Sequence, residues 1–243
     1  MDANWYRPER RDQAGKIAII GGNSHEFSRT QAAFSAALTM GFGEVRVILP
    51  KKLQKHIPPL EGVCFAAATA TGSFAHEALP ELSEHIRWAD CIYFPGELSK
   101  NAETTVLFNT LLSQSSKPTA LSHDSIDLVT DTSTESVHLV ATVGQLQKLG
   151  TKHRATSAAT FSMSPTQLAE WMHAQAWLGD CTTYIHGKLV AKLDDKVVSE
   201  PHTGGVADDV WRMNYAVNYL AWQLWTGDKL VAYELSRRSG VDI

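Results

Sequence analysis

Thr203-Gly204-Gly205-Val206-Ala207-Asp208-Asp209 stands immediately before an apolar run with helical spacing. Two glycines ahead of a helix let an anion approach the backbone, and the first helical amides offer it unpaired donors at the positive end of the dipole. Asp208, in the first turn, would stand beside that anion and can take a proton from a hydroxyl attacking a phosphoryl group. A structural reading exists for the same residues: Gly-Gly makes turns, and a first-turn aspartate stabilises the dipole without any ligand. Asp209 is the neighbour, and successive helical residues diverge by ~100°, so only one of the two can face a given crevice.

Other chemistry-bearing residues follow strand-like runs: Gly21–Gly22–Asn23, Pro95–Gly96, Ser122–His123–Asp124 and the Thr142–Gly144 turn. Asn23 and Ser24 can contact a ligand or cap the next helix. Asp124 can orient a substrate or cap its own turn. His123 can carry a proton or be an ordinary strand-end histidine.

The elements that must position these residues alternate. Apolar runs over 16–22, 44–50, 90–96, 117–124 and 136–142 predict strands, and helical patterns cover 28–41, about 78–88 and 101–114. This β-α-β-α rhythm predicts an α/β three-layer sandwich, with helices on both faces of a mostly parallel sheet and ligands at the carboxyl ends of the strands. Ser-Pro at its start and a glycine at its end predict a helix over 164–179. The segment 181–200 reads as three strands joined by turns, and a long helix runs from Asp208 to about Trp225 with Val210, Met213, Val217, Leu220 and Leu224 on one face. Trp211, Trp222 and Trp225 on that helix suit a core or a subunit interface. Residues 1–15 read as an N-terminal extension and 16–243 as one domain.

Of the 243 residues 44% are hydrophobic and 20% charged, a globular balance, and the formal charge of −4 with scattered basic residues speaks against a nucleic-acid partner or an anionic membrane surface. Cys64, Cys91 and Cys181 form no CxxC pair and read as free thiols, the last two buried. No HxH or HExxH spacing marks a protein-held metal, and no GxGxxG follows the first strand, which removes a dinucleotide-binding dehydrogenase. The start of the chain has no apolar signal segment and no run reaches the roughly 18 apolar residues of a membrane span, so a reducing cytoplasm is the expected compartment.

From Lys16 onward the ordered segments resemble the ribokinase-like superfamily, and within it the ADP/ATP-dependent NAD(P)H-hydrate dehydratases. "IAIIGGNSHEFSRTQAAFSAALTMGFGEVRVILP" is similar to that family's first strand, Gly-Gly-Ser/Asn turn, alanine-rich helix and second strand. "ADCIYFPGEL" is similar to its Pro-Gly-x-Gly segment, "KPTALSHDSIDLV" to its Lys-Pro-x-x-x-Asp-Ala-Asp segment with Asp124 on the second aspartate, and "TGGVAD" to its Thr-Gly-Gly-Thr-Gly-Asp anion hole. The resemblance implies that Thr203, Gly204, Gly205, Val206 and Ala207 hold the phosphates of ADP or ATP, that Mg2+ accompanies the nucleotide, and that Asp208 is the catalytic base. Asn23, Gly96 and Asp124 would line the crevice for a hydrated nicotinamide nucleotide, whose hydroxyl is phosphorylated and then eliminated as phosphate. A homo-oligomer is a further expectation of the likeness.

The departures lie in the same segments. Ala207 replaces the last glycine, Ser122 the first aspartate, and His186–Gly187 a Lys-Gly pair. Ala141-Thr142-Val143-Gly144-Gln145 lacks the histidine and glutamate of a Pro-His-x-Gly-Glu motif, and only Pro95 and Gly96 survive of Pro-Gly-x-Gly. A divergent enzyme and a nucleotide- or partner-binding protein that has lost catalysis both fit this pattern, and a vitamin or sugar kinase is a third reading.

Overall fold

The computed structural model describes residues 5–99, 101–128, 136–201 and 209–238. Strand β1 (Lys16–Ile20) shows the logic of the whole sheet. Ile17 and Ile19 project to one face, Ala18 and Ile20 to the other, and all four are fully buried. A strand buried on both faces reads as an unbroken apolar run because neither side meets water.

β1 pairs in parallel with β2 (Glu44–Pro50) and β4 (Cys91–Phe94), and β2 pairs with β3 (Val63–Ala66). β5 (Thr119–Ser122), β6 (Val137–Ala141) and β7 (Asp180–Ile185) extend the parallel part from β4, and β8 (Lys188–Leu193) and β9 (Lys196–Pro201) close it as antiparallel ribbons. The nine strands run in the order β3-β2-β1-β4-β5-β6-β7-β8-β9.

One apolar layer joins the sheet to α2 (Leu79–Trp88), α3 (Ala102–Ser113), α5 (Val143–Lys152) and α6 (Pro165–Ala174). The opposite layer joins it to α1 (Ser28–Met40), α7 (Asp209–Thr226) and α8 (Lys229–Ser236). A short helix, α4 (Ser125–Leu128), follows β5. The chain is therefore an α/β sandwich of three layers with a mostly parallel sheet.

Several expectations need correction. The helix expected over 164–179 ends at Ala174. Its start is a capping box in which Ser164 and Gln167 satisfy each other's backbone amides. Val210 is exposed and does not share the buried face of Met213, Val217 and Leu220. Of the tryptophans expected in a core or an interface, Trp211 and Trp222 lie in the core layer of α7, as the first alternative had it, and the half-buried Trp225 packs against that layer and donates its indole N–H to Ala14 O. β3, α5 and α8 were not foreseen. Cys91 and Cys181 are buried free thiols as expected.

Residues of the N-terminal segment are held against the body: Arg7 donates to Met40 O and Arg11 to Gly43 O. Among the described residues no helix is long and apolar enough to cross a membrane.

Candidate functional site

The loops after β1, β4 and β5 meet at the carboxyl ends of the strands. Gly22 N donates to Gly96 O, and Asn23 Nδ2 donates to Glu97 O at 2.9 Å. Asn23 Oδ1 accepts from His25 N and Glu26 N, which turns the chain toward α1. From β5, Asp124 reaches the same loop: Oδ1 accepts from Glu97 N at 2.7 Å and Oδ2 from Leu98 N at 3.1 Å. Gly96 sits between them with φ 101°, and a Cβ there would stand 2.3 Å from Asp124 Oδ1. Glycine is required twice over, by the backbone angle and by the carboxylate. Asn23, Gly96 and Asp124 are thus brought together, each tied to the loop around Glu97.

Glu97 itself carried no signal in the sequence. It is buried, in a left-handed conformation, and its carboxylate caps α1. Ser28 Oγ and Arg29 N donate to one oxygen, Thr30 N and Thr30 Oγ1 to the other. The N-cap position of α1 is Phe27, whose side chain cannot accept a hydrogen bond, so the first-turn amides of α1 take their carboxylate from another strand's loop.

A second cluster forms at the head of α7. Arg29 Nη2 lies 3.2 Å from Asp209 Oδ2, Arg212 Nη2 contacts Asp209 Oδ1, and His123 Nε2 is 3.4 Å from Asp209 Oδ1. These groups come from α1, α7 and the end of β5. Burial alone would raise the Asp209 carboxyl, but the hydrogen bond and charge of Arg212, with His123 and Arg29, bring it below the usual carboxylate range. His123 is pushed down to about 4, first by burial and then by Arg212 and Arg29, against the opposite pull of Asp209 and Asp124. Its imidazole is therefore neutral at pH 7. Behind it, Nδ1 lies 2.8 Å from Ser122 Oγ, which lies 2.8 Å from Tyr93 Oη, and burial raises that phenol so that it stays protonated.

The segment at the head of α5 has a structural role that the sequence signalled. Thr142 and Gln145 form a capping box, and Gln145 Nε2 donates to His123 O at 2.6 Å. Ser/Thr followed three residues later by Gln is the signature of such a box. Arg29 offered no comparable signal, since its partner lies far along the chain. Arg212 could have been found as the i+3 partner of Asp209 on one helical face.

Thr203, Gly204, Gly205, Val206, Ala207 and Asp208, the expected anion hole and base, lie outside the described residues. Asp209, beginning α7, is the carboxylate that meets His123 and Arg29. Among the described residues no three His, Cys, Asp or Glu side chains cluster closely enough to hold a metal ion. Two guanidinium groups converging beside an unpaired buried imidazole nitrogen fit an anionic, phosphate-bearing ligand.

No protein-family model matches the sequence, and no curated protein matches it. Solved structures do. A ribokinase-like superfamily protein of Enterococcus faecalis aligns over 95% of this chain and 79% of its own, at 16% identity and a TM-score of 0.65. The fold is ribokinase-like. An ADP/ATP-dependent NAD(P)H-hydrate dehydratase of Bacillus subtilis, co-crystallised with ATP and Mg2+, aligns over 94% of this chain and 81% of its own, at 12% identity and a TM-score of 0.62. Ribokinase of Giardia lamblia aligns over 92% of each chain at 12% identity and a TM-score of 0.57. At such identities the ribokinase-like fold is what is shared, and function has to be argued from the site.

Proposed function

We propose that this ribokinase-fold chain binds a phosphate-bearing small molecule at the head of α7 and uses ADP or ATP with Mg2+ to dehydrate hydrated NADH or NADPH. The observation that carries this reading is the convergence of Arg29, Arg212 and His123 on one carboxylate, Asp209, at the carboxyl ends of the parallel strands. Hydroxide is a poor leaving group, and phosphorylation turns it into a good one. The nucleotide, when bound, supplies the phosphoryl group.

In this reading Asp208 takes the hydroxyl proton, and the guanidinium groups of Arg29 and Arg212 offset the negative charge of the transferred phosphate. Amides of the Gly204–Ala207 loop complete the anion's surroundings. Asn23, Gly96 and Asp124 frame the substrate side of the crevice through the loop they jointly hold. The test is incubation with hydrated NADH, Mg2+ and ADP or ATP while reduced nicotinamide is followed by absorbance. Turnover in the wild type and its loss in Asp208→Asn are expected. An inert wild type rules the reading out.

A second reading, ligand binding without turnover, has its own observation. Glu97 and Asp124 spend their carboxylate oxygens on the protein's own amides and hydroxyls, and Asp209 is occupied by two arginines. Calorimetry with AMP, ADP, ATP and NADPH separates the two: binding with no product supports the second.

A further inference from the structure

His123 is built into an uncommon position. Its backbone has φ 55°, a left-handed conformation that is strained for a non-glycine residue. Its carbonyl is held by Gln145 from α5, and its ring, 6% exposed, is held through Nδ1 by Ser122 and Tyr93. The other ring nitrogen, Nε2, is buried and has no hydrogen-bond partner among the described residues. Leaving such a nitrogen unpaired is costly, so a ring held this firmly with one nitrogen idle invites a role for that nitrogen.

The neighbour of Nε2 is informative. Asp209 Oδ1 lies 3.4 Å away, outside hydrogen-bond geometry, and the same carboxylate is shared by Arg29 and Arg212. The Asp209 side chain is half exposed, while the imidazole beside it is buried. Arg29 holds Oδ2 and Arg212 holds Oδ1, so the Asp209 carboxylate marks a position where an anionic group meets two guanidinium groups next to the idle nitrogen. With the ring proton on Nδ1, donated to Ser122 Oγ, Nε2 presents a lone pair toward that position. A proton acceptor adjoining a seat for departing phosphate is the arrangement an elimination requires.

Resting on the function proposed above, we infer that His123 is the proton acceptor of the elimination step, distinct from the residue that takes the hydroxyl proton. Dehydration by way of a phosphate ester removes two protons at two different times. In the first step the O–H bond breaks, an O–P bond forms, and the bond from the terminal phosphorus to the nucleotide breaks. In the second the C–O bond to the phosphate breaks, the adjacent carbon loses its proton to Nε2, and that C–H electron pair becomes the new C=C bond. Phosphate leaves toward Arg29 and Arg212 carrying the C–O pair. The imidazolium that remains faces Asp209 and returns its proton to water. No outside oxidant or reductant is needed.

The charged groups facing the ring are Asp209 and Arg212 of α7, Arg29 of α1, and Asp124 beside it, so its proton uptake is coupled to occupancy of the arginine pair. The experiment uses the full chain with ATP, Mg2+ and hydrated NADH, reading ADP and reduced nicotinamide separately and the phosphate ester by phosphorus NMR. His123→Gln is expected to form ADP within about threefold of the wild-type rate, to accumulate the phosphate ester, and to form NADH about a hundredfold more slowly. Ser122→Ala, which keeps the imidazole but removes its hydroxyl partner, is expected to slow the same step about tenfold. Asp208→Asn is expected to stop ADP formation itself.

NADH formation in His123→Gln within threefold of wild type overturns the assignment, as does an equal loss of ADP and NADH in that variant. A wild type that forms ADP but no NADH, with or without accumulated ester, also overturns it. No ADP from the wild type refutes the underlying reading, and the assignment falls with it. Independent of turnover, inorganic phosphate added to histidine-15N-labelled wild-type protein is expected to shift the His123 Nε2 resonance. An unmoved resonance at saturating phosphate counts against the assignment whatever the kinetics.

Discussion

Glu97 bonds Thr30 twice: its Oε2 accepts from both the amide and the hydroxyl of Thr30, each at 3.1 Å. The loop after β4 thereby supplies the cap that α1 lacks in its own sequence and ties itself to the helix bearing Arg29. Charge-assisted hydrogen bonds are among the stronger stabilising contacts, and breaking them here leaves four donors short of a partner. Glu97→Ala is therefore expected to lose about 3 kcal/mol in urea unfolding. A change below about 0.5 kcal/mol would show that the cap is dispensable.

Gly96 is expected to resist any side chain. At φ 101°, with a would-be Cβ 2.3 Å from Asp124 Oδ1 and 3.0 Å from His123 Cβ, alanine strains the backbone and pushes on both neighbours. Gly96→Ala should destabilise by about 2–3 kcal/mol, measured as a shift of the urea midpoint. It should also alter the His123 ring environment, visible in histidine 15N spectra. Neutral behaviour in both measurements contradicts the geometry.

Asp209 is half exposed, and removing its charge should change stability by no more than about 1 kcal/mol. Its loss frees two guanidinium groups for an external anion. Asp209→Asn is expected to bind inorganic phosphate about three- to tenfold more tightly than wild type by calorimetry, with Arg212→Gln weakening it by a similar factor. Unchanged affinity in both variants would show that phosphate does not use the arginine pair.

His138, buried within β6, is expected to contribute to the acid limb of stability. Its ring stacks on Tyr219 at 3.9 Å and its Nε2 lies 3.0 Å from Thr182 Oγ1. Burial first, then the charge of Lys229, push its pKa down to about 3. A depressed histidine pKa means that the unfolded chain takes up the proton first as pH falls. The contribution is whole above the unfolded value near 6.5 and shrinks toward pH 3. At pH 5 the loss from this residue is about 2 kcal/mol, and His123 adds a comparable amount, so His138→Gln should shrink the decline between pH 7 and pH 5 by about 2 kcal/mol. Urea midpoints at the two pH values, wild type against variant, decide it; parallel declines would exclude His138 as a source.

How much was legible in advance differs sharply between fold and site. "KIAII" announces a buried strand because both of its faces are apolar beyond Lys16, "EVRVILP" does so from Val47 onward, and Gly41 closes α1 in the left-handed conformation that its glycine permits. Such signals are local, a matter of period and termini. β3 escaped because four residues with only one fully buried position give too little pattern, and α5 because its capping box stood in a segment compared with another motif.

The amino-acid order by itself determined the alternation of strands and helices, the ribbon pair at the end, and the gathering of polar breaks at one rim of the sheet. These follow from hydrophobic period and turn chemistry, which act between near neighbours. That Glu97 caps α1, that Asp124 and Asn23 hold one loop, and that Arg29 and Arg212 share Asp209 beside His123 emerges from the assembled sheet alone. Those are pairings between groups brought together by strand order and crossover, and the energy that selects them exists only once the sheet has assembled.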